Sequence, residues 1–173
     1  MSTPRSTDTS WKRKLVVTAV VVGAVLLLGL IASATIPRWW AQRIGDQVDG
    51  SIVAGTLVGL FYGFVFTLLP LLVLGAVLRW KRTWRAIVMA LAFAILLAIP
   101  NLLTLGIVLG TGNAAHAGDR ILDVEAPAFR GASLAGALLA AGFVLLVGYL
   151  LYSRDRARDA GRARRVAESG KPA

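Results

Sequence analysis

The chain contains no cysteine and a single histidine, His116. The missing thiols exclude disulfides, thiol catalysis, Cys-ligated zinc and iron–sulfur clusters, and they leave the redox compartment open. One imidazole excludes a His-rich metal site unless several subunits share it. There is no P-loop, no Gly-rich nucleotide motif and no Ser–His–Asp pattern. Charge is missing too, but locally. Four long apolar runs contain no Asp, Glu, Lys, Arg or His.

What fills the chain instead is hydrocarbon. Of its 173 residues, 57% are hydrophobic, and the mean hydropathy is +0.70. A soluble domain is about 45–50% apolar. The excess is gathered into runs at about 15–36, 51–78, 86–110 and 132–152. Each reaches the ~20 residues that carry an α-helix across a bilayer. The second and third are longer, which predicts tilt or a kink. The expected fold is an all-α integral membrane protein, a bundle of four transmembrane helices. It divides into a basic tail at 1–14, a membrane domain at 15–152 and a second basic tail at 153–173.

The +10 formal charge is placed rather than spread. Arg5, Lys12, Arg13 and Lys14 precede the first run. Arg79, Lys81, Arg82 and Arg85 join the second to the third. Arg154, Arg156, Arg158, Arg162, Arg164, Arg165 and Lys171 follow the fourth. The opposite side carries Arg38, Arg43, Arg120 and Arg130. Positive charge marks the cytoplasmic side, so both termini are expected there. Trp11, Trp39, Trp40, Trp80 and Trp84 all stand at run ends, as in an aromatic belt, and Tyr149 and Tyr152 near the end of the fourth run fit the same pattern. Ala32-Ser33-Ala34 also resembles a signal-peptidase site, but the run before it exceeds the usual ~7–15 residues. An uncleaved anchor is the preferred reading.

Pro37 is expected to end the first helix. Beyond it, Trp40, Ile44 and Val48 recur at i, i+4 and i+8, which predicts a short helix lying in the interface. Asp46 and Asp49 read as acids on a solvated face rather than an entrance for cations. Residues 111–131 read as the longest loop. It holds His116, Asp119, Asp123 and Glu125, but the spacing matches no calcium loop, so no metal is expected. The tail beyond Tyr152 is expected to fray and to disorder past Gly161. Its arginines attract anionic lipid at the cytoplasmic face, at about 1 kcal/mol per basic residue. It has no aromatic side chain to stack on bases, so no nucleic acid is expected as a partner. The two helix pairs show no internal repeat, and the inverted-repeat pattern of transporters is absent.

With no ionisable group at membrane depth, neither an enzyme nor a proton-coupled transporter is expected, and no cofactor. The polar features are few. Pro70 cannot donate to the carbonyl of Phe66, nor Pro100 to that of Leu96. Asn101 and Thr104 follow. Pro70, Pro100, Asn101 and Thr104 are therefore the candidate substrate path. The blander alternative, a kink whose Asn101 bonds across helices, weighs more. Small residues are plentiful. Gly55, Gly59 and Gly63 form a helical stripe, and close packing between membrane helices uses such stripes. Gly106, Gly110 and Gly136 are further candidate packing residues. Matching small faces are Ala19 with Gly23, Gly29 with Ser33, Gly106 with Gly110, and Ala132 with Gly136 and Ala140. Phe61, Tyr62, Phe64 and Phe66 oppose the stripe, as bulk suited to lipid or to a wider helix gap. Three occupants of the stripe stay open: this chain's own helices, a second copy, or a different membrane protein.

The stretch WWAQRIGDQVDGSIVAGTLVGLFYGFVFTLLPL resembles small four-span membrane proteins of high-GC bacteria that are commonly labelled permease. The likeness is strongest over about residues 37–72. It implies a multi-pass protein of the bacterial cytoplasmic (inner) membrane and a transport component that works as a homo-oligomer or with a partner. It supplies no catalytic or binding residue. The competing expectation is a non-transporting interaction subunit, scaffold or regulator that packs through its glycine faces.

Overall fold

The computed structural model describes residues 8–79 and 83–169. Arg5, Trp80, Lys81, Arg82 and Lys171 lie outside the described residues. Five helices follow one another: α1 (Asp8–Val48), α2 (Ile52–Arg79), α3 (Trp84–Leu109), α4 (Asn113–Glu125) and α5 (Phe129–Ser169). Four of them carry segments long and apolar enough to cross a membrane: Arg13–Val48, Ile52–Val77, Trp84–Leu109 and Phe129–Arg154. In hydrocarbon no water is present to satisfy an open backbone, so a helix is the form such runs take.

Three expected boundaries change. Pro37 does not end α1, which continues to Val48. The proline removes one donor, to the carbonyl of Ser33, but the turns beyond it bury Trp40, Ala41, Ile44 and Val48. That burial holds the helix on course. The stripe is thus part of the protein core and of a continuous α1, not a separate short helix. Residues 111–131 are not a long loop, because α4 occupies most of them. Ala114, Gly118 and Leu122 recur at i, i+4 and i+8, with Ala115 beside them, and all four are buried. Finally, α5 runs through Gly161 to Ser169, so the tail does not disorder at Gly161. Alanine and arginine are strong helix formers and fill much of that stretch. At the other end, residues 8–14 are helical as well.

The core lies at the end of the molecule away from the chain termini. Trp40, Ala41, Ile44 and Val48 of α1 meet Ile107 of α3, Leu122 of α4, and Ala126 and Phe129 at the α4–α5 turn. Tyr62 of α2 stands edge-on to both Trp40 and Phe129, with centroids 5.9 and 6.1 Å apart. It therefore belongs to this cluster and not to a lipid face, whereas Phe61 is exposed. Two turns are tied together here. Asp49 and Gly50 both take positive φ, 50° and 70°, a conformation that glycine adopts without strain. This aims the Gly50 N–H at the carbonyl of Glu125, 2.8 Å away. Ser51 Oγ then caps α2 by accepting from the Ala54 N–H at 3.3 Å. Arg130, at the start of α5, donates to the carboxylates of Asp119 and Asp123 on α4.

The other half is different. Residues 13–31 of α1 are all exposed, and α1 meets the other helices only through its later turns. α2 packs along α5 on one side and α3 on the other.

Candidate functional site

The glycine stripe of α2 is a seam against α5. A Cβ added at Gly55 would fall 3.2 Å from the Pro127 carbonyl carbon. One at Gly59 would fall 2.8 Å from Ala132 Cβ, and one at Gly63 2.9 Å from Ser133 Cα. The contact is reciprocal, since a Cβ at Gly136 would lie 2.8 Å from the Phe64 nitrogen. Backbone therefore rides on backbone over several turns, and Ala140 continues the seam fully buried. Of the three occupants left open by the sequence, this chain's own fifth helix takes the place. Gly110 also packs, with its Cβ position against Ala115 at the α3–α4 turn.

Gly106 does not. Nothing lies within 4 Å of its Cβ position. The expected packing role fails because α1 and α3 diverge here and leave a groove. Gly23 and Gly29 on α1 are equally open. Ala19 and Ser33 on the same faces are exposed, and Ser33 borders that groove.

The four candidate path residues separate as well. Asn101 Nδ2 donates to the Gly63 carbonyl at 3.3 Å and to Thr67 Oγ1 at 2.8 Å, which joins α3 to α2. Thr104 is buried. Its Oγ1 accepts from Trp40 Nε1 at 3.1 Å and donates to the Pro100 carbonyl at 3.0 Å, which joins α3 to α1. Pro70 is buried on α2 one turn beyond Thr67. The polar groups thus serve as cross-helix ties. One atom is the exception: Asn101 Oδ1 is buried with no hydrogen-bond partner. Indole, hydroxyl and carboxamide offer neutral hydrogen bonding and no group that titrates near neutrality.

Two members of this cluster escape a reading by composition. Thr67 continues the Gly55–Gly59–Gly63 row by one more turn, and its hydroxyl meets Asn101 of α3. Trp40 fits both an interfacial belt and the Ile44–Val48 stripe. The structure places it in the stripe, while Trp11, Trp39 and Trp84 remain exposed.

At the core end, Asp46, Asp49 and Glu125 border a cavity of about 390 Å³. Arg43 lies 3.9 Å from Asp46, and Arg130 engages Asp119 and Asp123. His116 is exposed. Among the described residues, no group of three or more His, Asp or Glu is placed to hold a metal ion. A larger groove of about 490 Å³ opens between α1 and α3 and is lined by Pro37, Leu103 and Gly106 among others. No protein-family model, curated protein or solved structure matches this chain.

Proposed function

We propose that the protein is a subunit of the bacterial cytoplasmic membrane that contributes its first span to a larger assembly. Both termini face the cytoplasm, by the placement of Lys and Arg. One observation carries the reading. Residues 13–31 of α1 are all exposed, and they include small residues suited to close packing, with nothing within 4 Å of the Gly23 and Gly29 Cβ positions. The other three spans already have partners within the chain. Membrane helices associate by close packing and hydrogen bonds rather than by the hydrophobic effect. The open Ala19–Gly23 face is therefore the part of the molecule best shaped for another helix, from a second copy or a different membrane protein.

The test is affinity purification from native membranes in mild detergent, followed by mass spectrometry. A second copy or another membrane protein co-purifies. Gly23→Ile releases it and leaves the melting temperature unchanged, because nothing lies within 4 Å of the Gly23 Cβ position. A protein that purifies as a lone monomer, with or without Gly23, sinks the proposal.

A transport component is the second reading, and the unpartnered Asn101 Oδ1 favours it. A buried acceptor without a donor is a point that a passing polar solute satisfies. Asn101→Leu separates the two readings in liposomes. A subunit without transport shows no flux in either form. A transport component loses flux on this change by much more than the loss of two interhelical bonds, at about 0.6 kcal/mol each, accounts for.

A further inference from the structure

The groove between α1 and α3 has one cation in a mostly apolar lining. Ala34, Pro37 and Arg38 of α1 line it with Leu102, Leu103 and Gly106 of α3. Its volume of about 490 Å³ falls among the ~300–1,000 Å³ of small-ligand clefts. It exists because Gly106 has no side chain to fill it and nothing within 4 Å of its Cβ position.

Arg38 follows the apolar run at 15–36 immediately, at the level where basic side chains reach lipid headgroups. Ser33 and Ala34 stand one turn further into the apolar run of α1, and Leu102 and Leu103 of α3 line the groove with them. Arg38 is also uncommitted. Arg43 has Asp46 nearby, and Arg130 has Asp119 and Asp123. Arg38 forms no ion pair among the described residues. The first turn of α4, Asn113 to Ala115, borders the same groove with no side-chain cap. A ligand that fits must offer an anion to Arg38 and hydrocarbon to the apolar wall. A free phosphate leaves the apolar wall empty, and a zwitterionic lipid brings its own cation beside the guanidinium.

We propose that this groove holds one anionic phospholipid, with its phosphate on the Arg38 guanidinium and an acyl chain along Ala34 and Leu102. The site rests on the membrane-spanning reading of α1 and α3. It lies at the end opposite the basic tails, so it is distinct from their attraction to lipid. Gly106 keeps the groove open, and Arg38 holds the phosphate through charge-assisted hydrogen bonds, a contact that an ammonium in the headgroup weakens by repulsion.

Native mass spectrometry of the full chain in detergent tests this, with three probes: phosphatidylglycerol, phosphatidylethanolamine and glycerol 3-phosphate. The intact chain retains one phosphatidylglycerol in preference to phosphatidylethanolamine, and glycerol 3-phosphate does not displace it. Arg38→Gln weakens retention about tenfold, the loss expected for a hydrogen bond to a charged group. Arg38→Lys keeps part of the preference. Gly106→Leu weakens retention of either lipid by filling the groove, and its melting temperature stays that of the parent. Four results overturn the site: retention unchanged in both Arg38→Gln and Gly106→Leu, which places the lipid on the terminal arginines; equal retention of the two lipids; displacement by glycerol 3-phosphate; or no lipid retained at all. A chain that stays soluble without detergent overturns the spanning reading itself, a separate failure.

Discussion

Gly63→Leu breaks the contact between α2 and α5. The Cβ alone would sit 2.9 Å from Ser133 Cα, closer than any relaxed carbon contact. The obstacle is backbone, so no rotamer relieves it, and the helices must separate. Overpacking typically costs about 1–3 kcal/mol, and more when backbone must move. Here the loss is expected at the upper end or beyond it. In a bilayer, lipid is as apolar as the helices, so nothing restores association once close contact is lost. Asn101 loses its alignment with the Gly63 carbonyl at the same time. Thermal unfolding in detergent reads the effect, with Gly75→Leu as control. Gly75 lies on the same helix with nothing within 4 Å of its Cβ position, and its substitution is expected within about 0.5 kcal/mol of the parent. Equal melting of the two variants would refute the seam.

Phe129→Ala acts at the other kind of junction. Phe129 is fully buried and packs against Tyr62 where α1, α4 and α5 converge. Loss of a buried phenylalanine costs about 3–5 kcal/mol. The reason differs from that at Gly63. What is lost here is side-chain packing in the cluster shared by α1, α3, α4 and the α4–α5 turn, not backbone contact between two helices. The damage is therefore local. In hydrogen exchange, α4 and the last turns of α1 are expected to lose protection, while the α2–α5 seam keeps its own. Uniform loss along all five helices, or none in α4, contradicts a separate core at this end.

The two substitutions mark what a linear reading reaches. The four apolar runs were legible because a transmembrane helix is a local property. About twenty uncharged residues, basic flanks and interfacial tryptophans suffice, whatever the neighbours do. The Trp40–Ile44–Val48 stripe was legible as an amphipathic face. Its destination was not, since the same stripe suits a membrane surface or a protein core. α4 went unread because Asp119, Arg120, Asp123 and Glu125 give it the composition of a loop. Ala114, Gly118 and Leu122, four apart, were the available signal. Pro37 shows a general rule losing to context: one missing hydrogen bond is outweighed by the buried stripe that follows it.

The glycines divide in the same way. Gly55, Gly59, Gly63, Gly110 and Gly136 pack, while Gly23, Gly29 and Gly106 stand open, and no difference in sequence separates the two sets. Small faces are interchangeable as letters. They differ only in which backbone comes within about 3 Å of them, and the crossing of whole helices decides that. The sequence by itself determined how many helices are built for hydrocarbon and where their charged ends lie, because transfer between water and lipid depends on each residue in turn. Tertiary structure alone decided that α5 closes on α2, that Asn101 and Thr104 tie helices together, and that α1 leaves a groove beside Gly106. These outcomes depend on shape matched over many residues at once.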